Sequence, residues 1–150
     1  MKRILTLLSL PLLLSLVSFF AIDQAREKAD AEAITKVVTD YTRAFYEAKP
    51  ELLKTALHKD LSKFGFYRPA GAADYSPMPM TYDQALALAA ELNKEGALGD
   101  NLTQKVTILD QLDKTAAVKL EAAWGFDYIH LGKFDGQWKM LQVIWQSHPK

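Results

Sequence analysis

The chain has 150 residues, about half of them hydrophobic, enough for one compact domain and too few for two. Formal charge is zero overall; removing residues 1–21 takes away Lys2 and Arg3 and no anion, leaving about −2, which gives no electrostatic case for nucleic acid. There is no cysteine, so disulfides and thiol catalysis are excluded. Three histidines without metal-ligand spacing offer no metal site, and no motif calls for a cofactor.

In chain order, MKR followed by ILTLLSLPLLLSLVSFFA reads as a basic n-region and an apolar core. This is an export signal over residues 1–21, with a boundary as late as 25, or an N-terminal anchor if uncleaved. The expected location is therefore periplasmic or secreted, with membrane contact only through that segment. Residues 30–148 are expected to form a single domain.

From Asp30 to Lys49, Ile34, Val37, Val38, Tyr41, Ala44, Phe45 and Ala48 form one apolar helical stripe. Tyr41 lies near its centre, so its buried hydroxyl needs a partner. Pro50 starts a short second helix ending near His58, and LSKFGFY (residues 61–67) reads as a strand. Residues 68–80 are rich in Pro, Gly and Ala and read as a loop that can act as a lid or as plain surface. Thr81 and Gln84 form a capping box that opens a third helix, which Gly96 or Gly99 ends.

Four strands follow from Asn101, the last two joined at Asp135-Gly136, the signature of a type I′ turn. Counting outward in strict register pairs Leu131 with Met140, His130 with Leu141, Tyr128 with Val143 and Phe126 with Trp145. One face then collects Phe126, Tyr128, His130, Phe134, Leu141, Val143 and Trp145. The other collects Asp127, Ile129, Leu131, Trp138, Met140, Gln142 and Ile144. Both are largely apolar, so each is expected to be covered. Helices first and a meandering antiparallel sheet last make an α+β layout.

The run VVTDYTRAFYEAKPELLKTALHKDL together with DYIHLGKFDGQWKMLQVIW resembles the nuclear transport factor two-like superfamily, within it the branch described as "putative lumazine-binding". The resemblance covers essentially all of residues 30–148. It implies a cone-like curved antiparallel sheet wrapped around three N-terminal helices (a cystatin-like roll), a cavity at the wide end, and an outer sheet face that commonly mediates dimers.

Ketosteroid isomerase belongs to the same superfamily and pairs a helix tyrosine with a strand carboxyl. Alignment on VVTDY puts Tyr41 at the tyrosine, and counting back from Phe134 puts His130 at the carboxyl. The base position falls near Phe66, which cannot abstract a proton, so that isomerase route is excluded. The comparison selects the His130 face as inward and leaves Trp138, Met140 and Ile144 for a second subunit.

The expected site therefore comprises Tyr41, His58, Phe66, Trp124, Tyr128, His130 and Trp145. It forms a conical pocket for a small apolar or aromatic molecule. Whether it catalyses a reaction stays open. Acid/base chemistry of isomerase, dehydratase or hydrolase type would use His130, His58 or Tyr41, and His130 is equally readable as a core histidine satisfied by a tyrosine. A third reading is a dimeric interaction module with a vestigial pocket. Lys63 either holds an anionic ligand at the rim or is simply solvated, Asp127 faces outward, and His148 is a solvated tail residue.

Overall fold

The computed structural model describes residues 9–99 and 102–149, with side chains from residue 21 onward. Residues 1–8 of the export segment lie outside the described residues. Among those described, no helix is long and apolar enough to cross a membrane.

Helix α1 (Ser9–Tyr46) runs continuously and buries Ile34, Val38, Tyr41, Thr42, Ala44 and Phe45 on one face. It stops where Ala48 takes a left-handed φ of 52° and the Lys49 N–H turns back to the Ala44 carbonyl. Pro50, whose missing N–H costs nothing in a first turn, opens α2 (Pro50–Ala56). Strand β1 (Leu57–Tyr67) follows without a loop, so it is four residues longer than the sequence pattern indicates.

Part of the expected 68–80 loop is a strand, β2 (Ser76–Met80), paired antiparallel with β1. Pro77 and Pro79 are tolerated because β2 is the sheet edge, where a proline's missing N–H can face away from the neighbour. Helix α3 (Tyr82–Glu91) opens with the capping box formed: Gln84 N–H donates to Thr81 Oγ1 at 3.2 Å, and Thr81 N–H to Gln84 Oε1 at 2.8 Å. Strands β3 (Gln104–Gln111), β4 (Thr115–Ala122), β5 (Gly125–Phe134) and β6 (Gln137–Gln146) meander antiparallel.

The sheet order is β2-β1-β6-β5-β4-β3, six strands curved around α1 and unclosed. It is mixed, because β1 runs parallel to β6; the sequence pattern alone suggests a purely antiparallel sheet.

The register corrects the face assignment. The β5–β6 turn is as expected, with Asp135 and Gly136 both at positive φ and Phe134 opposite Gln137. Between Leu131↔Met140 and His130↔Gln142, however, β6 carries one extra residue. This bulge exposes Leu141 and Gln142 together and moves Val143 and Trp145 onto the inner face with Trp138 and Met140. Opposite them, Asp127, Ile129 and Leu131 point inward, and Tyr128 and His130 point outward. Strict alternation cannot register a bulge, and one residue of slip exchanges the faces. Trp138 and Met140 keep the expected register but lie on the Asp127 side, which is the inner one, so they are core and not a surface for a second subunit; of that trio only Ile144 lies outside, 45% exposed.

Candidate functional site

Four residues from three parts of the chain form a polar cluster inside the cone. Asp127 on β5 is completely buried, and both of its oxygens are satisfied: Tyr41 Oη donates to Oδ2 and Trp124 Nε1 to Oδ1, each at 2.8 Å. Lys63, pointing inward from β1 and only 7% exposed, donates from Nζ to the Tyr41 hydroxyl. The ammonium also lies over the rings of Tyr41, Phe45 and Trp145 at 5.0, 5.5 and 5.7 Å from their centroids. A buried cation and a buried carboxylate are thus joined through one phenol, the kind of arrangement that keeps desolvated charges tolerable.

The titration behaviour follows from burial. Loss of hydration pushes the Tyr41 hydroxyl well above its ordinary value, and the Asp127 charge adds to the rise. Burial pulls the Lys63 ammonium below the usual lysine value, with Asp127 acting in the opposite direction. Tyr41 accepts from Lys63 and gives its only proton to Asp127, so it has no proton left for a ligand. The group with donors to spare is Lys63.

Lys63 faces a cavity of about 610 Å³. Phe45, Trp124 and Trp145 form its aromatic floor and wall; Met78, Met80, Leu88, Leu92 and Leu98 line the side made by β2, α3 and the turns after α3. Tyr67, Arg68, Pro69 and Ala70 frame the mouth, with Ser147 and His148 from the chain's end. The start of the Pro/Gly-rich segment thus frames the entrance. The Arg68 guanidinium rests over the Tyr75 ring at 4.7 Å, and its backbone N–H donates to Ser147 Oγ at 3.0 Å.

Trp145 needs a glycine beside it. A Cβ on Gly65 would sit 2.0 Å from two atoms of the indole. The same close packing encloses Trp145 Nε1, which has no acceptor among the described residues.

Of the expected site residues, Trp124 and Trp145 line the cavity, and Tyr41, completely buried, does not line it but bonds to Lys63, which does. The other four do not reach it. Phe66 points outward at 43% exposure beside Phe64. Tyr128 is half exposed on the outer face. His130 is exposed there too, its Nδ1 3.0 Å from Gln142 Oε1. His58 accepts the Asp60 N–H at 3.2 Å and stacks on Phe134.

Asp127 was misplaced by the alignment that set His130 at the carboxyl position; it, not His130, is the strand group that meets Tyr41. Lys63 is buried, not a rim residue. His148 is not a free tail: its Nε2 lies 3.0 Å from the Ala122 carbonyl and its ring packs edge-on against Phe126. A sequence signal for Asp127 does exist on β5 alone, where Asp127-Ile129-Leu131 alternates with the more amphipathic Phe126-Tyr128-His130. Among the described residues no acidic and histidine cluster could hold a metal ion.

A helix-filled curved sheet with a cavity open at one end defines the nuclear transport factor two-like class, and solved structures agree. A protein of unknown function from Silicibacter pomeroyi DSS-3, titled as nuclear transport factor two-like, superposes with a TM-score of 0.63 at 16% identity, covering 81% of this chain and 98% of that one. One from Methylobacillus flagellatus KT, titled likewise, gives 0.59 at 21% identity over 81% and 94%. A structure from Novosphingobium aromaticivorans titled "Putative Scytalone Dehydratase" gives 0.56 at 16% over 84% and 89%. At these identities the likeness shows the fold alone. No curated protein matches the sequence. The chain belongs to the family described as "Putative lumazine-binding", whose model matches residues 29–146.

Proposed function

We propose that this is an exported binding protein for a small, mostly apolar or aromatic molecule held in the cavity framed by Phe45, Trp124, Trp145 and Lys63. The observation that carries the reading is the cavity: about 610 Å³, lined largely by aromatic and aliphatic side chains with a few polar groups, the usual character of a small-molecule site. The family description, which names a flat heterocycle, points the same way. Acid/base chemistry through His130 or His58 loses its geometric support, since neither lines the cavity.

Native mass spectrometry of protein purified from its source should show a small-molecule adduct, and Leu92→Trp, whose indole intrudes into the cavity, should weaken it. An adduct untouched by that intrusion would place the ligand elsewhere. Export rests on the basic n-region and apolar core. N-terminal sequencing of the protein from a periplasmic or culture fraction tests it, and recovery only from the cytosol would refute it.

The outer sheet face supports a homodimer, through residues other than Trp138 and Met140. Phe64 and Tyr128 both pair with Ile144 in register, and with Phe66 they leave a patch of large exposed hydrophobics. Sedimentation should give a dimer that Ile144→Lys dissociates; a monomeric wild type would end this proposal.

A further inference from the structure

Among the described residues, every charged side chain in the cavity wall is a cation: Lys63 stands in the floor, Arg68 at the mouth, and no described carboxylate lines the space between them. Among the described residues neither has a carboxylate within ion-pair distance. Asp127, the carboxylate nearest in the network to Lys63, stands behind the Tyr41 hydroxyl and the Trp124 indole, which both donate into it. Its charge compensates Lys63 from behind, through the phenol, and the carboxylate itself does not line the cavity.

Lys63 uses one N–H on Tyr41 and has further donors. Around it are the rings of Phe45 and Trp145, so a partner for those donors must carry its acceptor on an apolar or aromatic body. An ammonium flanked by aromatic rings favours an ionised acceptor over a neutral one, because Coulomb attraction between opposite charges adds to a hydrogen bond that the ammonium already strengthens. A cationic ligand would meet two like charges.

From this arrangement we infer that the ligand is an amphipathic anion: an apolar, largely aromatic body whose acid group is held by Lys63, with Arg68 guarding the entrance. This deepens the binding-protein reading and rests on it.

The test uses 1-pyrenebutyrate, its neutral amide 1-pyrenebutanamide and the cation 1-pyrenemethylammonium, titrated by fluorescence against the full mature protein. The carboxylate should bind roughly tenfold or more tightly than the amide, and the cation weakest. Lys63→Met should erase the preference between carboxylate and amide. Arg68→Gln should lower the association rate of the carboxylate and its salt dependence with a smaller effect on affinity. The wild-type comparison does not depend on whether the Lys63 variant folds. Equal binding of carboxylate and amide would overturn the anion assignment while leaving the pocket reading intact. Failure of all three probes to bind would overturn both. A preference that persists in folded Lys63→Met would remove Lys63 as the anchor.

Discussion

The two faces of the β5–β6 hairpin carry similar-looking residues and behave differently. On the inner face, Asp127, Trp138, Met140 and Trp145 lie almost fully buried, and each polar group but one has a partner. On the outer face, Tyr128, His130, Leu141 and Ile144 are exposed, and the His130 contact is with its cross-strand neighbour Gln142. A histidine among aromatics attracts attention in a sequence, yet the residue that must be satisfied is the buried carboxylate. Desolvation, not residue type, decides where chemistry concentrates.

The largest test of that contrast is Asp127→Leu. It strands the Lys63 ammonium in the interior and leaves the Tyr41 hydroxyl and Trp124 N–H without their acceptor. Breaking one side of such a buried pair costs about 3–5 kcal/mol, readable as a lower urea midpoint. The double variant Lys63→Met/Asp127→Leu should recover a good part of the loss, because it removes both charges. Additive losses would show that the two residues do not act as one unit.

Gly65→Val probes the wall beside that cluster. Its Cβ would clash with the Trp145 indole at 2.0 Å, and β1 and β6 hold both backbones in parallel register there. Repacking should cost about 1–3 kcal/mol and shift the near-ultraviolet tryptophan signal. Full stability with an unchanged signal would mean Trp145 has room to swing away.

Much of the fold was legible in the sequence, and the reasons are local. The 3.6-residue stripe around Tyr41 marks α1, Thr81 and Gln84 mark the start of α3, and Asp135-Gly136 fixes the last turn. The burial of Tyr41 was legible from its place at the centre of the apolar stripe on α1, whereas aromatic character alone did not separate buried Trp145 from exposed Phe66 and Tyr128. The rest depended on non-local geometry. Strand β2 hides behind two prolines that only an edge position permits, and the extra residue at Leu141 has no glycine or proline to announce it. That residue split the β6 side chains between the faces, while the alignment that set His130 at the carboxyl position chose the wrong side of β5 and so put His130 inside and Asp127 outside.

At the other end of the hairpin, Asp30 on α1 accepts from Lys133 and from Trp138 Nε1, clasping the helix to both strands. Burial works against its ionisation, but these partners outweigh it and hold the carboxyl below its ordinary value of 3.8. A depressed carboxyl contributes stability that is fully present above the unfolded-state value and fades as pH falls through the folded-state value. Asp30→Asn should therefore cost about 1–3 kcal/mol at neutral pH. The gap from wild type should narrow as pH drops below about 4 and close in stronger acid. A pH-independent difference would assign the effect to packing instead of charge.

The smallest expected effect sharpens the comparison most. His130→Gln retains a polar group opposite Gln142 on a face that is open in the monomer. Away from the core and the cavity, it should change stability by no more than about 0.5 kcal/mol and leave 1-pyrenebutyrate affinity unchanged. A tenfold loss of affinity would mean that ligand reaches the outer groove between His130, Lys114 and Phe134, and that the two faces divide the work differently. Loss of dimer with affinity intact would instead extend the contact surface from Ile144 across to His130. Unchanged behaviour on both counts would leave the Lys63–Tyr41–Asp127 cluster as the part of this hairpin's surroundings that carries binding.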